Sequence, residues 1–110
     1  SSPLQLNNGT IVFGSLDKHI YLLNEQGGLK CKIKTGGWVT SSAKILNDST
    51  FCIGSYDHIL YVVNTNGEIL ATYDAGGKIF ASPAVLPNNT IVVASNNKKI
   101  HFINPNKLGK

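Results

Sequence analysis

An all-β fold of propeller blades, each of four antiparallel strands, is predicted by three observations. The chain repeats itself every forty residues, each period carries four short apolar runs punctuated by turn residues, and no stretch of eight residues has helical periodicity. The segment from Gly14 to Gly27, GSLDKHIYLLNEQG, returns as GSYDHILYVVNTNG from Gly54 to Gly67 and, decayed, as ASNNKKIHFINPNK from Ala94. Five positions hold one residue in all three units: Ser2, Ser42 and Ser82; Leu6, Leu46 and Leu86; Thr10, Thr50 and Thr90; Ser15, Ser55 and Ser95; Asn24, Asn64 and Asn104. The chain is thus an array of about 2.75 units, divided as a partial blade over 1–35, a blade over 36–75 and a partial blade over 76–110.

Each element follows from its residues. Ser1 to Leu6 aligns with Ser41 to Leu46 and with Ala81 to Leu86, a short inner strand running into a polar corner. The corners NNG, NDS and PNN reverse the chain, because Asn and Asp side chains bond nearby backbone and Asn and Gly accept positive φ. They also spell the glycosylation acceptors Asn8-Gly9-Thr10, Asn47-Asp48-Ser49 and Asn88-Asn89-Thr90, but turn chemistry accounts for all three without glycans. The second strands TIVFGS, TFCIGS and TIVVAS and the third strands HIYLLN, ILYVVN and KIHFIN are rich in Ile, Val, Phe and Tyr. Their apolar residues are consecutive, so both faces are expected to be covered by neighbouring sheets. The expected core includes Ile11, Phe13, Ile20, Leu22, Ile53, Leu60, Val62, Val92, Ile100 and Phe102. Between second and third strands, Asp17, Asp57 and Asn97 are placed to accept backbone N–H groups of the turn. A ring of carboxylates for a metal would instead require them to converge.

The outer strand of the first unit, GLKCKIKT, alternates strictly. Leu29, Cys31 and Ile33 should share one face and Lys30, Lys32 and Lys34 the other, the pattern of a half-exposed strand whose lysines protect a sheet edge. Gly-Gly corners at Gly36-Gly37 and Gly76-Gly77 then lead into the next inner strands, and the small residues there suit a crowded centre. Ten or eleven strands result, with the last outer strand missing.

Composition excludes several classes. With 42% hydrophobic and 15% charged residues the chain buries a core and is not disordered. The formal charge is +4, yet all ten basic residues are lysines, and without arginine there is no bidentate fork for guanine or phosphate, so no nucleic-acid partner is expected. No run approaches 18 apolar residues and the segment SSPLQLNNG does not resemble a signal sequence, so neither a membrane span nor a leader is expected. Cys31 and Cys52 lack a neighbouring cysteine at knuckle or redox spacing and read as small buried hydrophobes.

GSLDKHIYLLNEQG and GSYDHILYVVNTNG resemble the repeat of the pyrroloquinoline-quinone-type propeller family, in which a Gly-Ser-x-Asp-Gly turn, an apolar strand with tyrosine and an Asp or Asn before a glycine corner recur. TGGWVTSSAKI and AGGKIFASPAV resemble that family's inner-strand segment. Departures accompany the likeness. The family's enzymes carry a blade-locking tryptophan four residues after the corner glycine, where this chain has Cys31 and Ala71. They also use a vicinal cysteine pair, a stacking tryptophan and acidic calcium ligands around the quinone, whereas this chain has no adjacent cysteines. The resemblance therefore implies a non-enzymatic, quinone-free member.

No residue group announces catalysis. His19, His58 and His101 occupy three different repeat positions without ligand spacing, Ser41, Ser42 and Ser82 lack elbow glycines, and no glycine-rich phosphate loop precedes a helix. No catalytic residue, cofactor or metal is assigned. The expected function is a non-catalytic binding or scaffold module, the alternative a fragment of a quinone-dependent oxidoreductase whose catalytic residues lie outside this chain. Partners are expected to be a protein, further copies of the chain that complete the blade array, or a carbohydrate. Residues that break the period are freest to serve a ligand. Trp38, at the start of an inner strand, its equivalent Lys78, and Tyr56 in a turn are the candidate contacts, although large aromatics usually pack, which for Trp38 means against a neighbouring blade.

Overall fold

The structure, a computed structural model, describes residues 1–47 and 49–108. Among these residues eleven strands form three antiparallel sheets. The first contains β1 (Leu4–Gln5), β2 (Ile11–Gly14), β3 (His19–Leu23) and β4 (Leu29–Lys34). The second contains β5 (Lys44–Asn47), β6 (Thr50–Gly54), β7 (Ile59–Asn64) and β8 (Ile69–Asp74); the third, β9 (Ala84–Val85), β10 (Ile91–Ser95) and β11 (Lys99–Ile103). Strands consecutive in sequence are neighbours in each sheet, and the one helical element described is a 3₁₀ turn over Pro105–Lys107. Trp38 and Lys78 do not begin strands as the sequence reading has it. They lie in the connections ahead of β5 and β9, where backbone groups bond to turns instead of to a ladder.

The turns close as the Asx chemistry demands except at Asn97, whose Oδ1 accepts from Ser95 Oγ and whose Nδ2 donates to Ala75 O at 3.3 Å. Asn8, Asn47 and Asn88 Oδ1 each accept a backbone N–H two residues on at 3.0 Å; Asp48 of the middle corner lies outside the described residues. His19 N donates to Asp17 Oδ1 (3.1 Å) and Ile59 N to Asp57 Oδ1 (3.0 Å). A hydroxyl from the adjacent strand, Tyr21 or Tyr61, donates to the second carboxylate oxygen. That bond from Tyr21 is the main cause holding the Asp17 carboxyl below its ordinary value. The next residues, Lys18, His58 and Lys98, sit at φ +71°, +78° and +67°.

Two apolar layers hold three sheets together. Because strand side chains alternate, β6 and β7 send Phe51, Ile53, Tyr61 and Val63 toward the first sheet and Cys52, Leu60 and Val62 toward the third. Burying side chains of this size stabilises by roughly 1.5–3 kcal/mol each. Only the middle sheet is covered on both faces as the consecutive apolar runs imply. Ile11, Phe13 and Val92 face outward and are half-buried, and Ile100 and Phe102, expected in the core, are 67% and 71% exposed because, among the described residues, no sheet lies beyond the third. Leu29 also departs from expectation. A register shift pairs Leu22 with Cys31 but Leu23 with Leu29, so the bulge turns Leu29 away from the face of Cys31 and Ile33.

The connections between units are anchored to the preceding turns by backbone bonds that repeat in register. Thr35 N donates to Lys18 O (2.7 Å) and Val39 N to Ser15 O (3.0 Å); forty residues later Ala75 N donates to His58 O (2.7 Å) and Ile79 N to Ser55 O (3.1 Å). These connections lie so close to the second strand that glycine is needed beneath them. A methyl at Gly54 would stand 2.4 Å from Ile79 Cγ2, and one at Gly14 2.2 Å from Val39 Cγ1. Gly54→Ala is accordingly expected to cost about 1–3 kcal/mol through overpacking, read as a fall in the urea midpoint.

Candidate functional site

The Gly-Gly corners bring the site together. A Cβ at Gly37 would lie 2.8 Å from Asp57 N, a contact that lets the corner rest directly on the β6–β7 turn. There Gly36 N donates to Asp57 Oδ2 (2.8 Å) and Tyr56 N donates to Trp38 O (2.8 Å). The next corner repeats this docking, with Asn96 N donating to Lys78 O at 2.9 Å and Lys78 N to Asn96 Oδ1 at 2.8 Å. Backbone geometry therefore sets residues 38 and 56 side by side, whatever their side chains.

The side chains there form an aromatic platform. The Trp38 and Tyr56 rings lie 5.5 Å apart at 37°, Phe80 meets Tyr56 edge-on at 4.8 Å, and Lys78 Nζ stands 5.6 Å from the Tyr56 ring centre. Trp38 is 48% exposed and Phe80 46%. An open groove of about 300 Å³ runs along Trp38, Tyr56 and Lys78 and is bounded by Lys18. All three candidate residues are thus brought into one place, and two lysines flank it. Phe80 and Lys18 were not among the candidates. Phe80 breaks the period against Thr40, a signal the sequence carries, while Lys18 joins only through the juxtaposition of two sheets.

Chemistry elsewhere is dispersed. His19 Nδ1 lies 2.9 Å from Asp17 O, His101 sits between the Tyr73 hydroxyl (2.8 Å) and Ser95 Oγ (3.1 Å), and His58 is exposed in its turn. The Asp57 carboxylate is spent on Gly36 N, Ile59 N and the Tyr61 hydroxyl. Among the described residues no three His, Cys, Asp or Glu side chains are grouped to hold a metal ion, and no helix is long and apolar enough to cross a membrane. Cys52 is buried, which pushes its thiol up to about 12, whereas Cys31 is half-buried and unpaired. Burial raises the Tyr61 phenol as well, helped by its bond to Asp57.

No protein-family model and no curated protein sequence matches the chain. Among solved structures it is similar to the WD40 β-propeller domain of Doa1, with a TM-score of 0.78 and 19% identity over 91% of this chain and 34% of that one. It is similar also to BamB from Moraxella catarrhalis, with a TM-score of 0.72 and 14% identity over 92% of this chain and 30% of that one. These likenesses show the β-propeller fold, and the three sheets are its blades. The chain spans about a third of the length of either propeller.

Two outcomes are expected of this region. Because the indole is half in solvent and rests on one ring, Trp38→Ala should lower stability by about 1 kcal/mol, read from the urea midpoint, instead of the roughly 3–5 kcal/mol of a core aromatic. The raised Cys52 and Tyr61 groups favour the folded state fully below their unfolded pKa values, near 9 and 10, and that contribution is lost as pH climbs toward 12. Cys52→Ala should therefore be less stable at pH 7 yet show a shallower decline above pH about 9, followed by circular dichroism.

Proposed function

We propose that the chain is a β-propeller repeat module of the pyrroloquinoline-quinone type that acts as a non-catalytic binding or scaffold domain. Its partner is a protein segment that presents an apolar side chain beside a carboxylate. One observation carries the reading: Trp38 and Phe80 stay half-exposed on either side of Tyr56, with Lys78 over the ring and Lys18 at the groove's edge. Large aromatics that remain in water while ordered by backbone bonds are the usual anchors of interfaces, where burying them on association supplies most of the energy. The two lysines add preference for negative charge and speed its approach. The open shape suits an extended segment better than an enclosed small molecule.

Selection of peptides from a random library on the immobilised chain tests this. Enriched sequences should pair Asp or Glu with an apolar residue and alter the emission of Trp38, the chain's single tryptophan. They should also lose roughly tenfold or more in affinity, about 1.4 kcal/mol, for Trp38→Ala and for Lys78→Glu. Selected peptides that bind both variants as tightly as the parent would remove the platform from the function. Enrichment on a glycan array in place of peptides would move the partner to carbohydrate, and a stoichiometric bound chromophore after addition of quinone and calcium would overturn the non-catalytic reading.

A further inference from the structure

The two ends of the blade stack carry patterns that match each other. In the first two sheets the positions of Ile20 and Leu22 and of Leu60 and Val62 are buried against the following sheet. Their equivalents in the third, Ile100 and Phe102, are the two most exposed large hydrophobics among the described residues. At the other end, the outer face of the first sheet carries Ile11, Phe13, Tyr21 and Leu23. These are the equivalents of Phe51, Ile53, Tyr61 and Val63, which form the second sheet's share of the first core layer. Leu29, 58% exposed, extends that face and corresponds to Ile69, which packs against the same layer. The outer face of the third sheet thus presents the pattern that twice in this chain packs onto the pattern shown by the outer face of the first.

A second ladder runs the same way. Ser2 N donates to Ser42 Oγ and Ser42 N to Ser82 Oγ, each at 2.8 Å, so the ladder ends on the Ser82 amide at one side and the Ser2 hydroxyl at the other. Those are the donor and the acceptor that one further step would join.

We propose that two copies of the chain pack head to tail, the third sheet of each covering the outer face of the other's first sheet, so that six blades close a ring. Each copy supplies three sheets, and six falls within the roughly four to eight that propellers contain. The contact is heterologous, joining unlike faces, and closure leaves neither end in water. The occupant is a second copy because the match between the faces is the one the repeat itself encodes.

Light scattering on the full 110-residue chain, from micromolar concentrations upward, should return twice the chain mass. Phe102→Glu and Leu29→Glu each alter an exposed side chain, so both should keep the β-sheet circular dichroism of the parent. Each alone should be monomeric, since either substitution spoils both contacts of the ring. An equal mixture of the two should recover a dimer, because one contact in the mixed pair is intact. A monomeric parent overturns the proposal, as does a mixture that stays monomeric. A Leu29→Glu chain that dimerises by itself also overturns it, since that result means like faces pair. If Phe102→Glu unfolds, Ile100→Glu takes its place in the mixture.

Discussion

The backbone bonds that tie each connection between blades to the turns on either side are the constraint on which the remainder of the molecule depends. Thr35 and Val39 hold the first turn, Gly36 and Trp38 hold the second, and Ala75, Ile79 and Lys78 repeat the pattern forty residues on. Each bond is worth on the order of 1 kcal/mol net, and leaving a buried partner unmade costs about 1–3 kcal/mol. Several act at every junction, and they act on rigid corners. They set the spacing at which Val12, Ile20 and Leu22 meet Phe51, Ile53 and Val63, and thereby the thickness of both core layers. The serines kept by the period belong to the same device: Ser55 Oγ bonds Gly37 O and Trp38 O at 3.3 Å, and Ser95 Oγ bonds Ala75 O at 3.4 Å.

The same docking explains why the candidate site lies where it does. Residues 38, 56 and 78 are held through main-chain bonds that any side chain of their own would satisfy, and the Phe80 carbonyl accepts from Thr40 Oγ1, so the repeat leaves their chemistry free. At these positions the chain has placed an indole, a phenol, a lysine and a phenyl ring. The proposed recognition would therefore use side-chain atoms of residues whose main-chain atoms serve stability. The equivalent place in the third blade holds Asn96, whose side chain bonds Lys78 N, and the platform ends there.

Burial differs among the three blades although their sequences are alike. β6 is buried along its whole length, whereas in β2 and β11 one face is partly or largely open. A repeat unit cannot bury both faces alone, so its exposure is a property of its neighbours. The apolar residues on the outer faces of the first and third sheets are core residues by sequence and surface residues only by position in the stack.

The sequence by itself determined the period, the strand meander, the Asx turns and the set of period-breaking residues, because these depend on local side-chain to backbone chemistry and on alternation within a few residues. Asn8, Asn24, Asp17 and Asp57 each accept the amides that their positions imply. Tertiary structure alone decided three things. The bulge at Leu23 turned Leu29 outward, which strict alternation could not foresee. The stack's ends left Ile100 and Phe102 in water, since burial depends on whether a sheet lies beyond. And Phe80 and Lys18 joined Trp38, Tyr56 and Lys78 because corners and turns far apart in the chain are pressed together by backbone bonds, a proximity that no local pattern records.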